Sequence, residues 1–261
     1  MDKATLGGLV LAIGGILLGL MLEGGNLGQV IQPTAAMIVF GGTLGAVLIQ
    51  YPLPVALSAF RRLAQVFVEP AQNAQSTIEL LVKYANQARR DGIISLDKEL
   101  ATIRDPFLRR ALMLAVDGTD PQELRKTMEL ELDNKEEREE KIPQLFESAG
   151  GFSPTIGIIG AVLGLIQVMQ HLDKIDEVGR GIAVAFVATL YGVGAANLIL
   201  LPAAGKLKIR IRDEHIIREM VLEGVVSILE GMNPRMLEEK LLGFLTEARK
   251  PATAVPEASN A

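Results

Sequence analysis

Pro154 and Thr155 open the run "SPTIGIIGAVLGLIQVMQ", and Thr189 and Pro202 stand in "AVAFVATLYGVGAANLILLP". Each proline lacks an amide proton, so it strands the carbonyl four residues earlier, Gly150 for Pro154 and Leu198 for Pro202. A threonine hydroxyl both donates and accepts. Stranded carbonyls and hydroxyls in an apolar segment suit a hinge or the wall of an ion path. Two ordinary kinks are the alternative, since proline is tolerated in membrane helices. The group that would bind a proton is missing. An ion path through a membrane normally leaves an Asp, Glu, Lys, Arg or His inside it, and these segments hold none. Thr189 is the best-placed polar group at mid-depth, with Thr43 another. The chain alone therefore makes a poor proton relay: either it conducts nothing, or its titrating carboxylate belongs to a partner helix.

The segments that position these residues are set by where charge is absent. Ala4–Leu22, Gly24–Phe60, Ser148–Gln170 and Gly181–Gly205 carry no charged residue, and each reaches the roughly 20 residues needed to cross hydrocarbon as a helix. Pro33 and Pro52 bound a helix within the second stretch. The fold class is an all-α membrane protein, four transmembrane helices with a large helical cytoplasmic domain. The first span is expected to be retained, because its apolar run is too long for a signal peptide and no small-x-small site precedes Glu23. Lys and Arg cluster at Lys3, Arg61–Arg62 and Lys206–Arg212, against only Lys174 and Arg180 on the other side. This bias puts both termini in the cytoplasm. The expected division is residues 1–52 for the first two spans with a short periplasmic connection, 53–147 for a cytoplasmic helical domain, 148–205 for spans three and four, 206–249 for a cytoplasmic C-terminal helix and 250–261 for a disordered tail.

In the cytoplasmic segment, Ile78, Leu81, Val82, Ala85 and Ala88 form one apolar helical face, and Gly92 suits the position past its end. A second helix begins near Leu96 and a third covers "PFLRRALMLAV". Asp120, Pro121 and Glu123 signal the start of a fourth, which runs toward Pro143 and leads into span three. After span four, "KLKIRIRDEH" reads as a continuation of the same helix.

Small residues fall on one face of three spans: Gly157, Gly160, Ala161 and Gly164; Gly181, Ala185, Ala188, Gly192 and Ala196; Gly8, Ala12, Gly15 and Gly19. Such faces let backbones approach closely. Packing between chains or around another protein's helix is preferred here over packing within one, because a lone four-helix bundle needs fewer of them.

Other chemistries are poorly represented. With no cysteine there is neither a disulfide framework nor a thiolate metal site. A net charge of −5 without a basic, aromatic-laced cluster argues against nucleic acid. Neither a phosphate-binding G-x-x-x-x-G-K-[ST] loop nor H-E-x-x-H occurs, so no enzyme, cofactor, catalytic residue or metal site is expected.

The order of two spans, a charged cytoplasmic segment and two more spans resembles the MotA family of flagellar stator subunits. "EGGNLGQVIQPTAAMIVFGGTLGA", "ARRDGIISLD", "SPTIGIIGAVLGLI" and "AVAFVATLYGVGAANLILLP" carry the likeness, which covers nearly the whole chain. The resemblance implies a non-enzymatic, ion-driven torque generator in the bacterial inner membrane. It also implies five copies around a dimer of MotB, a single-span, peptidoglycan-binding partner that supplies the membrane aspartate. By the same resemblance Pro154, Thr155 and Pro202 belong to ion-path coupling, Thr189 lies near the path, and Arg89 and Asp97, with Glu131 by a weaker match, engage the rotor protein FliG. Asp97 is one methylene shorter than the glutamate often found there. Sodium-type relatives tend to carry threonine where Ala161 stands; alanine offers no oxygen to Na⁺, which favours H⁺. An ExbB/TolQ-like energiser of an outer-membrane system is the alternative, disfavoured by the fourth span and by "ARRDGIISLD".

Overall fold

A computed structural model describes residues 2–67 and 74–248; the tail expected at 250–261 lies outside the described residues. Among the described residues every regular element is helical. In chain order these are α1 (Lys3–Leu22), α2 (Leu27–Val30), α3 (Pro33–Ala36), a wide π-turn (Met37–Gly41), α4 (Gly42–Gln50), α5 (Leu53–Gln65) and α6 (Ala74–Asp91). There follow a 3₁₀ turn (Ile93–Leu96), α7 (Asp97–Leu100), α8 (Pro106–Val116), α9 (Pro121–Gln170), α10 (Ile175–Gly194), a second π-turn (Ala195–Leu200), α11 (Leu201–Leu229) and α12 (Pro234–Ala248). Four helical stretches are long and apolar enough to cross a membrane: Lys3–Leu22, Leu27–Gln50, and the apolar parts of Pro121–Gln170 and Ile175–Leu229.

Local chemistry sets the helix ends. Asp2 caps α1 by accepting from the Ala4 and Thr5 amides, and Gly24 takes a φ of 81° just past its end, a conformation that suits glycine. Asn26 and Gln29 form a reciprocal capping box on α2. Asp105 caps α8 ahead of Pro106, accepting from Phe107 N at 2.8 Å, and Asp120 accepts from Gln122 N at 2.9 Å where α9 begins. Pro143 and Pro154 both lie inside the 50 residues of α9 without ending it. The C-terminal stretch is two helices where one was expected. Gly231 at a φ of 76° and Pro234 at the head of α12 turn the chain.

Two compact units form, one from Met1–Glu69 with Arg138–Ile209, the other from Pro70–Glu137 with Arg210–Ala261. These limits differ from the expected segment boundaries, because α5 and the stretch before span three pack with the spans. In the first unit Ala56 and Ala59 of α5 are buried with Val47, Ile142, Leu145, Phe146, Ala149, Ala204 and Leu207. A smaller cluster joins Ala35 and Val39 to Val187 and Ala188.

The second unit is built around α6. Ile78, Leu81 and Ala85 are buried as the periodicity predicts, and Tyr84 joins them. Their neighbours include Leu112, Leu124, Met128, Val225 and Leu241. A methyl group placed on Gly224 would stand 2.7 Å from Leu81 Cδ1, so α11 meets α6 through a bare backbone.

Candidate ion path and cytoplasmic contact residues

The small faces of spans three and four close on each other. A Cβ built at Gly164 would lie 2.8 Å from the Gly181 carbonyl oxygen and 2.9 Å from the Ala185 amide nitrogen. At Gly157 it would lie 2.9 Å from the Ala188 carbonyl oxygen, and at Gly192 only 2.6 Å from that of Ser153. The preference for interchain packing is therefore corrected for these two faces: they are used within the chain. The face on α1 behaves differently. Gly8, Gly15 and Gly19 have nothing within 4 Å of a built Cβ, and α1 has no buried residue.

This interlock gathers most of the expected path residues. Pro154 is half-buried, with its Cα 3.2 Å from the position a Gly192 Cβ would take. Thr189 is half-buried, and its Cα lies 3.4 Å from the corresponding position at Gly157. Ala161, half-buried, follows Gly160, whose built Cβ would meet Ala188 at 2.7 Å. Thr155 is exposed and its hydroxyl donates to the Phe152 carbonyl at 2.7 Å. The Thr189 hydroxyl donates to the Ala185 carbonyl at 3.2 Å. Both hydroxyls satisfy their own helix and keep lone pairs for a further donor.

Pro202 is exposed and follows the second π-turn, in which the Leu201 amide reaches back five residues to the Ala196 carbonyl. The widened ladder and the missing donor are thus adjacent. Gly150, whose carbonyl Pro154 strands, faces Leu201: a Cβ there would stand 2.6 Å from Leu201 Cδ2. The two proline sites meet at the same end of the helix pair.

Three features of this unit go beyond the sequence reading, which named Thr43 only as a mid-depth polar group and Lys206 only for orientation. Ser153 Oγ and Thr43 Oγ1 are buried without a hydrogen-bond partner, which leaves unspent polar capacity beside Pro154 and in span two. Tyr191 donates to the Val30 carbonyl at 2.5 Å and accepts from the Gln32 amide at 3.2 Å. Lys206 binds the Asp2 carboxylate and the Thr5 hydroxyl. A phenol within an apolar span was a legible signal for Tyr191, because such a group needs a polar partner. Nothing in sequence marked its partners.

In the second unit Arg89 and Asp97 are both exposed, flanking the turn at Gly92. That turn is firmly built: Gln87 donates to the Ser95 carbonyl at 3.1 Å, Ser95 Oγ to the Gly92 carbonyl at 2.7 Å, and Leu96 is fully buried. Arg89 helps line an open cationic hollow of about 550 Å³ with Lys83, Asn86, Gln87 and Arg90. Neighbouring Asp91 is held below the usual carboxylate range by its hydrogen bonds from Arg90. Glu131 is placed elsewhere, on α9, in a 2.9 Å ion pair with Arg110. Arg89 and Asp97 thus flank one turn, while Glu131 is engaged on another helix. Among the described residues no group of acidic, histidine or cysteine side chains could hold a metal.

The comparisons agree with this arrangement. A profile of the MotA/TolQ/ExbB proton channel family matches residues 99–220, and one of the motility protein A N-terminal region matches 6–92. Motility protein A of Bacillus subtilis is 37% identical, over 94% of this chain and 91% of its own. The solved MotAB structure of C. jejuni superposes with a TM-score of 0.89 at 33% identity, covering 98% of this chain and 100% of that one. The flagellar MotAB stator complex of Bacillus subtilis gives 0.84 at 36%, covering 94% and 96%. With the interlocked, charge-free spans three and four and matches running nearly end to end, the chain belongs to the motility protein A group of the MotA/TolQ/ExbB proton channel family.

Proposed function

We propose that this chain is the ion-conducting stator subunit of a bacterial flagellar motor. It sits in the inner membrane with both termini in the cytoplasm, as a homopentamer around a dimer of a MotB-like, single-span, peptidoglycan-binding partner. One observation carries the reading: α9 and α10 lock together around Pro154 and Thr189, yet the apolar spans contain no Asp, Glu, Lys, Arg or His. A proton path needs such a group, so a second chain must bring the acid. The relatives solved as MotAB complexes support a partner of this kind.

Protonation neutralises the partner's carboxylate and makes it tolerable at low dielectric. The loss of its charge releases nearby dipoles and lets spans three and four shift about Pro154 and Pro202. Arg89 and Asp97 pass the movement to the rotor protein FliG. H⁺ is the conducted ion, since Ala161 offers no oxygen to Na⁺. The motility protein A profile over residues 6–92 favours this reading over an ExbB/TolQ-like energiser.

Reconstitution tests the proposal. Vesicles holding this chain with its partner pass protons, whereas the chain alone does not. Replacing the partner's membrane aspartate with asparagine stops the flux. Equal flux from the chain alone would overturn the division of labour.

A further inference from the structure

Span four is tied to spans one and two at two points, and its least regular segment lies between them. At the first, the Tyr191 phenol bridges the Val30 carbonyl and the Gln32 amide. The chain there is extended, with φ and ψ of −95° and 99° at Ile31 and −128° and 99° at Gln32, so no helix satisfies these groups. Phe40 stacks on the same ring at 6.0 Å, and Ala35 and Val39 are buried against Val187 and Ala188. At the second, Lys206 of α11 grips Asp2 and Thr5 at the head of α1. Asp2 is further fixed by its amide, which donates to the Phe67 carbonyl at 3.0 Å.

Between these ties run the π-turn Ala195–Leu200 and Pro202. A π-turn holds one residue more than the regular helix, and π-turns occur frequently at functional sites. Returning it to α-geometry would rotate all that follows by about 100° and displace it by about 1.5 Å, the step of one residue. Pro202 removes the amide that would otherwise resist the change. Span one also touches the π-turn itself, although α1 buries no side chain within the chain.

We propose that Tyr191 and Lys206 are positioning residues that pin spans one and two to span four on either side of this adjustable segment. When the segment changes pitch, the two spans are carried with span four. The inference rests on the stator reading, in that it assumes span four moves during conduction. Because the ties use polar groups away from the Thr189 position, releasing one uncouples movement from the ion without closing the path.

The test uses the complete complex with its partner subunit. Stall torque, proton flux and the amount of complex in the membrane are measured for Tyr191→Phe, Lys206→Met, their combination, and Lys206→Arg. Each single variant is expected to lower torque per complex about threefold while flux per complex holds, and the double variant to be no worse than the weaker single, because both ties serve one coupled movement and residues that act as one unit are non-additive. Lys206→Arg keeps the torque. Torque and flux falling by the same factor, or losses that multiply in the double variant, overturn the proposal. Should Tyr191→Phe fail to reach the membrane, the Lys206→Met and Lys206→Arg pair decides alone. A wild-type complex with neither flux nor torque would count against the stator reading instead.

Discussion

At the scale of single residues, position within the helix pair decides what a side chain can contribute. Pro154 is wedged against the bare backbone of Gly192, where its ring spoils one helical hydrogen bond and its neighbour Ser153 holds an unused hydroxyl. Pro154→Ala restores the amide and with it the missing hydrogen bond to the Gly150 carbonyl. It is expected to abolish swimming while the complex stays in the membrane; unchanged motility with normal membrane levels removes the coupling role. The two threonines separate in the same way. Thr155 is exposed, whereas Thr189 is half-buried next to the Gly157 contact. Thr189→Ala is expected to cut proton flux well below that of Thr155→Ala, and flux measured in vesicles distinguishes them. Pro154, Thr189 and Pro202 could be singled out as candidates because a proline or hydroxyl stands out in a charge-free run. Tyr191 and Lys206 were not assigned, because their partners lie far away in sequence, at Val30, Gln32, Asp2 and Thr5.

At the scale of elements, the small-residue faces were plain in the sequence but their partners were not. Glycine spacing says that something comes close, not whether it belongs to the same chain. Spans three and four answer each other, whereas α1 is left open. That difference makes a sharp comparison. Gly164→Ala would push a methyl against the backbone of Gly181 and Ala185 at under 3 Å, and backbone yields less readily than a side-chain tip. It is expected to lower the thermal stability of the purified chain. Gly8→Ala meets nothing within 4 Å and is expected to leave the isolated chain unchanged. If Gly8→Ala instead reduces the assembled fraction in detergent, the open face is where copies touch. The π-turns were invisible in advance, because the apolar pattern of Met37–Gly41 or Ala195–Leu200 does not announce one extra residue in a turn. The break before α12 could have been read from Gly231 and Pro234, which sit as a helix stop and start should.

For the whole molecule, charge outside the spans carries two different duties. The Asp2–Lys206 tie is permanent: hydrogen bonding from Lys206 holds the Asp2 carboxyl at about 2, below its ordinary 3.8. A depressed carboxylate supports the fold above its unfolded value and loses that support only as pH falls through the folded one. Torque measured between about pH 5 and 8 should therefore show no titration of this tie, and Asp2→Asn should lower torque by the same factor across that range. Arg89 has the opposite character. It is exposed at the end of α6 beside a cationic hollow and a rigid turn, and an isolated surface charge adds little to stability, about 0–1 kcal/mol. That leaves it free to steer a partner, because complementary charge raises encounter rates more than affinity. Arg89→Glu is expected to reduce torque while flux and thermal stability hold, to be rescued in part by a compensating charge on the rotor, and to matter less as ionic strength rises. Glu131 provides the contrast, since its pairing with Arg110 ties it into its own unit. Glu131→Gln should be felt as a small loss of stability that no rotor variant repairs. A rotor change that rescued Glu131→Gln but never Arg89→Glu would move the contact from the Gly92 turn to α9.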